Sequence, residues 1–254
     1  VMWNYRMLQA TGDAKYVDIM ELTLYNAALS GISLDGKHFF YTNPLADRVK
    51  HRRQPWFPCP CCPPNIARLL ASLPGYFYST SSDGIWVHLY ASNETMIEFK
   101  GKNVQLIQKT QYPWNGRVEI KVSPEVEDEF ALYLRMPGWS TGAEVYVNNK
   151  RLDTRAIPSS FIDIERMWEK GDMVRLDLEI PIQLIAANFL VIHDTARVAV
   201  KRGPLVYCLE QADTPDVDVW TIALQDDVKL ESKYDPNLLG GVIIVESKGI
   251  ALNC

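Results

Sequence analysis

The first quarter of the chain spaces its apolar residues at the three- and four-residue steps of an amphipathic helix. Met2 to Ala10 predicts a first helix, and Gly12 suits the left-handed residue that follows a helix end. Asp13 is a suitable N-cap for a second helix, which continues to Gly31. A third helical pattern covers Asn65 to Leu73. The pattern therefore predicts three helices within residues 1–75.

The apolar spacing changes to two from Ile85 onward, which is the period of a half-buried strand. Short alternating segments separated by Gly, Pro and Asn turns are typical of β-sandwiches. Asn148-Asn149-Lys150 has the composition of a hairpin turn. The clearest alternating segments are residues 85–89, 118–122, 130–135, 144–147 and 174–180. We expect mostly antiparallel strands, and substantial helix between residues 85 and 210 would contradict this expectation.

The two patterns meet at a serine-rich stretch, residues 79–84, which has the composition of a linker. We therefore predict a mostly β fold with two parts, a helical segment of residues 1–78 and a region of one or two β-sandwiches in residues 79–254. Three helices are too few for a separate domain, so their apolar faces should pack against the β region or against chain outside this sequence. The residues after Val1 resemble the middle of a helix rather than a signal peptide, and a longer parent is expected.

Composition and charge argue against two classes of partner. The 254 residues are 47% hydrophobic and 22% charged, as in ordinary folded proteins. The net charge of −5 provides no basic surface to neutralise phosphates, so a nucleic-acid partner is not expected. A membrane partner is not expected either, because no apolar run approaches the roughly 20 residues of a membrane helix. The short basic run Lys50–Arg53 is interpreted as a solvated loop.

The five cysteines are unevenly distributed, because three of them fall within four positions. An odd number with this clustering is a poor disulfide framework. Clustered free thiols are typical of metal binding or catalysis in a reducing space, so a cytoplasmic location is favoured while the compartment stays open. The five are Cys59, Cys61, Cys62, Cys208 and Cys254.

Cys61 and Cys62 are followed directly by Pro63-Pro64, and proline is favoured in the first turn of a helix. Both thiols should therefore lie at or just before a helix N-terminus, where free N–H groups and the helix dipole favour a thiolate. Zinc prefers such ligands, although a zinc site normally has four of them. No second ligand pair is evident, because the four histidines are scattered along the chain. The plainer alternative, small apolar residues beside a proline kink, stays open.

The run Cys61-Cys62-Pro63-Pro64-Asn65 and the helical pattern after it are the most specific of several recognisable stretches. The others are Leu24-Tyr25-Asn26, Gly31–Gly36, Phe39–Leu45, Leu134–Trp139, Trp168–Asp172 and Arg202–Cys208. In this order they resemble glycoside hydrolase family 127 along nearly the whole chain.

The resemblance implies a fold and a set of site residues. In this family an (α/α)6 barrel carries the active site and β-sandwich domains follow it, so residues 1–78 would be the last helices of such a barrel. Cys61 would be the nucleophile, and Tyr41 would lie beside the sugar and the nucleophile. Zinc would be held by Cys61 and Cys62 together with a Glu-x-Cys pair. That pair and the family's acid/base Glu are upstream in the family, and neither is present in this sequence.

The implied activity is the retaining hydrolysis of terminal β-L-arabinofuranosides in arabinose-containing oligosaccharides by a bacterial enzyme. A zinc-bound thiolate attacks the sugar where an ordinary retaining glycosidase uses a carboxylate. Because the acid/base Glu and the upstream zinc ligands are missing, we expect this chain to be inactive alone. For the same reason we expect it to bind zinc weakly or not at all.

Two other functions stay open. The β region can be a non-catalytic carbohydrate-binding or structural sandwich, since exposed tryptophans on one sheet face would stack on sugars. A stand-alone zinc module is disfavoured because the number of ligands is too small. The candidate stacking residues are Trp86, Trp114, Trp139 and Trp220.

Overall fold

The structure is a computed structural model, and it describes residues 1–44, 46–47 and 51–252. Cys254, Leu45 and Lys50 lie outside the described residues, so the fifth cysteine and the start of the basic run have no structural account here. The chain forms two compact units, Val1–Glu179 and Ile180–Cys254. In the part of the chain that is described, none of the helices has both the length and the apolar character needed to cross a membrane.

The three predicted helices are present at the start of the first unit. Gly12 follows the first of them with φ of 70°, and its N–H donates to the Leu8 carbonyl at 2.7 Å, as expected for a helix end. Asp13 accepts a hydrogen bond from the Lys15 N–H at 3.0 Å, but the N-cap of the second helix is Ala14 and not Asp13, the residue that the sequence predicted. The second helix ends in two irregular turns. The helical elements are α1 (Met2–Thr11), α2 (Lys15–Thr23), a π-helical turn (Leu24–Ala28), a 3-10 turn (Leu29–Gly31), α3 (Cys62–Ser72) and a second 3-10 turn (Leu73–Tyr76).

Ten strands complete the first unit as a β-sandwich. A four-stranded sheet has the order β1-β2-β6-β9, and a six-stranded sheet has the order β3-β4-β5-β10-β7-β8. The Phe99 and Phe130 rings, one from each sheet, have centroids 5.5 Å apart. The strands are β1 (Tyr78–Thr80), β2 (Gly84–Val87), β3 (Asn93–Phe99), β4 (Lys102–Thr110), β5 (Arg117–Pro124), β6 (Asp128–Met136), β7 (Ala143–Val147), β8 (Lys150–Arg151), β9 (Ser160–Trp168) and β10 (Asp172–Leu178).

Buried and exposed side chains alternate along these strands, as the spacing of the apolar residues predicted. In β10, Val174 and Leu176 are fully buried, while Met173, which directly precedes Val174 in the same strand, is 39% exposed. Asn148 and Asn149 have φ of 48° and 66°, which confirms the hairpin turn between β7 and β8. Between residues 85 and 210, the described helix is limited to the short 3-10 turn Ile192–Asp194, so the mostly β fold is confirmed. One neighbouring pair, β2 with β6, is parallel.

The second unit is built from small antiparallel sheets. Gly203 has φ of 56° in the turn that joins the second and third strands of its largest sheet. The Tyr207 hydroxyl donates to the Ile243 carbonyl at 2.9 Å and joins two of the sheets. The strands pair as β11 (Ile182–Ala186), β12 (Val198–Arg202) and β13 (Leu205–Tyr207), as β14 (Ile222–Leu224) with β17 (Gly249–Ala251), and as β15 (Glu231–Asp235) with β16 (Val242–Glu246).

A buried guanidinium attaches the helices to the sandwich of the first unit. The Arg135 side chain on β6 has no exposed area, and it donates to Asp18 at 2.7 Å and to Glu21, both on α2. The Glu21 carboxylate, 1% exposed, also accepts from the Trp139 indole at 3.0 Å and from the Tyr112 hydroxyl at 2.5 Å. We call these five residues the Arg135 cluster. The helices thus pack against the β region, one of the two arrangements that the sequence left open.

The charge of Arg135 depends on its carboxylate partners. Burial by itself lowers the pKa of the guanidinium, but the charge of Glu21, followed by Tyr112 and Asp18, outweighs burial and raises that pKa. Both hydrogen-bonding edges of the guanidinium are used, because its Nε also donates to the His88 carbonyl at 2.7 Å. A buried charge is tolerated when it is paired and hydrogen-bonded in this way.

Replacing Arg135 with Met should strongly destabilise the first unit. Arg135→Met keeps most of the side-chain volume but leaves Glu21 buried without its cation, and breaking a buried pair costs about 3–5 kcal/mol. The measurement is the free energy of unfolding from urea titration followed by far-UV circular dichroism. The control is Arg117→Met, which removes a solvent-exposed pair with Asp177 and should change the stability far less than Arg135→Met. Equal losses in the two variants would contradict the role given to Arg135.

His88 is a second buried ionisable group in the same region. It is 2% exposed, and its Nε2 lies 2.7 Å from the Ser79 hydroxyl. Its Nδ1 has no hydrogen-bond partner among the described residues. Burial, followed by the positive charge of Arg135, lowers the pKa of His88 to about 3. The imidazole is therefore neutral in the folded protein, whereas it titrates near pH 6.5 in an unfolded chain.

The depressed pKa of His88 predicts a loss of stability in mild acid. Below about pH 6.5 the His88 imidazole is protonated in the unfolded chain but stays neutral in the folded chain. The stabilisation present above about pH 6.5 is therefore lost as the pH falls toward about 3. Between about pH 7.5 and about pH 5, this loss should reach about 2 kcal/mol. Urea titrations across this range measure it. His88→Gln should flatten this part of the profile, and replacing the exposed His193 with Gln should not. A wild-type slope in His88→Gln would remove the assignment.

Candidate active site

Cys61 lies at the N-cap position of α3, as the two following prolines predicted. Its backbone has φ of −70° and ψ of −32°, and Pro63 and Pro64 occupy the first helical turn. The Cys61 carbonyl accepts the first hydrogen bond of the helix, which comes from Asn65, four residues later. The Asn65 side-chain amide donates to it at 2.8 Å, and the Asn65 backbone N–H donates at 3.3 Å. The first turn that presents the thiols is thereby fixed.

Three of the residues singled out from the sequence meet at this helix start. The Cys61 and Cys62 sulfurs are 3.6 Å apart. The Cys62 thiol also donates to the Tyr41 carbonyl at 3.6 Å. The Tyr41 ring, 48% exposed, has its centroid 5.5 Å from that of Phe57. Cys59 and Cys61 are both exposed, so a small molecule can reach the sulfurs directly.

The three groups influence one another's protonation. Hydrogen bonding from Cys62, aided by Tyr41 and Cys59 and opposed by slight desolvation, lowers the pKa of the Cys61 thiol. The same interaction with Cys61 raises the pKa of Cys62. Hydrogen bonding with Cys61 also raises the pKa of the Tyr41 phenol. Cys61 is therefore the first of the two adjacent thiols to become a thiolate, and Tyr41 stays protonated and can donate to it.

Residues that received no role from the sequence shape this site. Asn65 fixes the Cys61 carbonyl, and its spacing of four residues after Cys61 is a helical contact that could have been anticipated. Phe57 packs on Tyr41, and Arg53 and Asn43 bond to backbone and side-chain groups near the end of the second helix. These three contacts depend on how the loop closes, for which the sequence pattern has no signal.

The candidate tryptophans lie on different elements. Trp139 is 6% exposed and belongs to the Arg135 cluster, while Trp220 lies in the second unit. Trp86 on β2 stacks on Tyr133 with centroids 3.7 Å apart, and Trp114 follows β4 in a turn. The four rings do not form one sheet face. The arrangement therefore gives no specific support to the carbohydrate-binding alternative.

Three sequence families match consecutive parts of the chain. Residues 1–75 match the GH127 catalytic domain of β-L-arabinofuranosidase. Residues 84–180 match the GH127 middle domain of β-L-arabinofuranosidase, and residues 182–241 match the glycoside hydrolase family 127 C-terminal domain. The chain belongs to glycoside hydrolase family 127. Tyr41, Cys61 and Cys62 all fall in the part that matches the catalytic domain.

Relatives in family 127 are similar over nearly the whole chain. A non-reducing end β-L-arabinofuranosidase of Bifidobacterium longum is 35% identical over 96% of the chain. The crystal structure of a GH127 β-L-arabinofuranosidase from Geobacillus stearothermophilus T6 superposes with a TM-score of 0.90 at 43% identity, over 96% of the chain. A GH127 β-arabinofuranosidase structure gives 0.92 at 37% identity, over 98% of the chain. The chain spans only about 40% of the length of these relatives.

The adjacent cysteines fit two positions of a zinc site. Two thiolates bound to one tetrahedral zinc at about 2.3 Å stand about 3.8 Å apart, close to the 3.6 Å between the Cys61 and Cys62 sulfurs. The donor chemistry also fits, since thiolate is a preferred zinc ligand. Within residues 1–44, 46–47 and 51–252, however, no group of three or more His, Cys, Asp or Glu is arranged to hold a metal. Among the described residues, the two thiols could therefore fill at most two of the four positions of a tetrahedral zinc site.

Zinc should consequently bind weakly to this chain. Two thiolates leave two of the usual four positions to water, and each missing protein ligand lowers the affinity. Metal analysis of purified protein after dialysis against a weak chelator should find much less than one zinc per chain. Cys62→Ser, which removes one of the two ligands, should lower the residual amount further. A stoichiometric zinc that survives the chelator would contradict the prediction and require ligands not identified here.

Proposed function

We propose that the family 127 chain carries the nucleophile of a retaining glycoside hydrolase that cleaves terminal β-L-arabinofuranosides, and that Cys61 is this nucleophile. The observation that carries the proposal is the place of the Cys61 thiol, which lies exposed at the start of α3 with its sulfur 3.6 Å from that of Cys62. The direction of its pKa agrees, because hydrogen bonding from Cys62 lowers the pKa of Cys61. Relatives that match the chain over nearly its whole length are named β-L-arabinofuranosidases, which supports the substrate class.

The reaction has two displacements at the anomeric carbon. In the first, the Cys61 thiolate forms a C–S bond while the C–O bond to the leaving group breaks, and the leaving oxygen takes a proton from a carboxylic acid. In the second, water attacks the same carbon, the C–S bond breaks and Cys61 returns as a thiolate. The carboxylate accepts the proton of the water. Two inversions give net retention, as in glycosidases with a carboxylate nucleophile.

The neighbours of Cys61 have separate roles. Cys62 would hold zinc jointly with Cys61, and it does not attack the sugar. When bound, zinc would lower the pKa of the thiol and make the sulfur a better leaving group. Tyr41, which interacts with Cys61 and is half exposed, contacts the sugar and donates a hydrogen bond toward the sulfur.

The carboxylic acid of the first displacement is not among the residues assigned in this chain. The matched catalytic domain ends at residue 75, and the chain spans about 40% of the length of its relatives. We therefore attribute complete turnover to a longer protein that includes this chain. The chain alone should not hydrolyse a β-L-arabinofuranoside at an appreciable rate.

Exchanging each cysteine for serine in a protein with a complete barrel tests the assignment. A serine hydroxyl is deprotonated far less readily than a thiol at neutral pH, so Cys61→Ser should lose essentially all hydrolysis of a terminal β-L-arabinofuranoside. Cys62→Ser should lower activity, and added zinc should restore part of it. Cys208→Ser, an exposed thiol in the second unit, is the matched control and should keep normal activity. Initial rates and zinc content are measured together.

The covalent adduct gives an independent readout of the same assignment. A mechanism-based inhibitor should leave one sugar on the peptide that contains Cys61, as identified by mass spectrometry. Full activity of Cys61→Ser, or an adduct on a carboxylate, would overturn the assignment and leave the cysteines as a structural metal site.

A further inference from the structure

The segment that carries Tyr41 is irregular and needs side-chain contacts to hold its position. Between Ile32 and α3, its described backbone pairing consists of two isolated bridges, Phe39 with Ile32 and Phe39 with Gln54. Neither bridge includes Tyr41, because Ile32 and Phe39 precede it and Gln54 follows it. The position of the Tyr41 side chain therefore depends on how its direct neighbours are held.

Arg53 holds one side of this segment. Its Nη2 and Nε donate to the Ser30 carbonyl at 2.7 and 3.2 Å. The guanidinium carbon also lies 4.3 Å from the centre of the Phe40 ring, in a cation–π contact. Phe40 precedes Tyr41, so a single arginine connects the residue before Tyr41 to the 3-10 turn at residues 29–31.

Asn43 and His51 hold the other side. The Asn43 side-chain amide donates to the Ala27 carbonyl at 3.1 Å and to the Ser30 hydroxyl at 2.9 Å. His51 Nε2 lies 2.8 Å from the Thr42 carbonyl, and its ring stacks on Phe40 with centroids 4.5 Å apart. Phe40, Thr42 and Asn43 are therefore all restrained.

The acceptors for these contacts exist because of how the second helix ends. The last carbonyls of a helix have no partner within it. Here the helix continues through a π-helical turn and a 3-10 turn, which present the carbonyls of Ala27 and Ser30 to the loop. The loop thus completes the hydrogen bonding of the helix end, and the helix end fixes the loop.

From these contacts we infer that Arg53 and Asn43 are positioning residues, which brace the segment on the end of the second helix so that Tyr41 stays beside the Cys61–Cys62 pair, where its carbonyl accepts from the Cys62 thiol. The inference rests on the proposed role of Cys61. Neither residue contacts the sulfurs in the described contacts, so both act through Tyr41. Loss of either brace should let Tyr41 leave Cys61 without removing Tyr41 itself.

The test is the rate at which iodoacetamide alkylates Cys61 relative to Cys59 in the purified chain, with chelator present, measured by peptide mass spectrometry. Both thiols are exposed, so their ratio corrects for general changes in access. Tyr41→Phe should lower the ratio by about three- to tenfold, the effect of losing one hydrogen bond. Arg53→Met should lower it as much, and the double variant should lower it no further. Arg53→Lys keeps a cation over Phe40 and one donor, and should recover part of the ratio.

A control variant and the double variant decide how the labelling ratio is interpreted. Arg52→Met is the matched control. Arg52 donates only to the carbonyl of the adjacent residue His51 in the described contacts, so this variant should leave the ratio unchanged. A wild-type ratio in Arg53→Met, or losses that add in the double variant, would overturn the inference. Labelling needs no turnover, so its outcome is independent of whether the complete enzyme hydrolyses arabinofuranosides.

Discussion

The pairing of Arg135 with Glu21 and Asp18 is the constraint on which the first unit depends. A guanidinium with no exposed area is tolerated when it is paired with carboxylates and hydrogen-bonded, so both acidic partners must be held in place. The cluster fixes the second helix against β6, and apolar contacts extend this attachment: Leu8, Val17, Leu24, Leu69 and Leu89 form one buried cluster. The end of that helix in turn supplies the carbonyls that hold the Tyr41 segment. The geometry at Cys61 therefore depends on a strand of the sandwich.

The local parts of this structure could be predicted from the sequence. Residue spacing separated helices from strands, Gly12 marked a helix end, and Pro63 with Pro64 marked the helix start that presents Cys61. These features depend on residues that are near one another in the chain. The pairing of Glu21 with Arg135 joins positions 114 residues apart, and no periodicity reports such a contact. The low pKa of His88 was missed for the same reason, since it results from burial and from Arg135.

The sequence placed Cys61 and Cys62 at a helix start, but it did not predict the contacts that hold the surrounding loop. Cys61, Cys62 and Tyr41 lie together, as the resemblance to family 127 implied, although their roles in the reaction remain proposals. The contacts of Arg53, Asn43 and Phe57 follow from the path of an irregular loop. A loop has no repeating hydrogen-bond pattern, so its contacts depend on the elements at its two ends. That is why the two adjacent cysteines could be singled out from the sequence and the contacts around them could not.

The first compact unit also bears on how such enzymes change during evolution. Two sequence families divide it, one ending at residue 75 and the next beginning at residue 84, yet residues 1–179 form one compact body. A recombination event at that junction would separate Arg135 from both of its carboxylates. Sandwiches of this kind are therefore not freely interchangeable modules. A viable exchange has to transfer the acidic helix together with the strand that binds it, or replace the arginine and both acids at once.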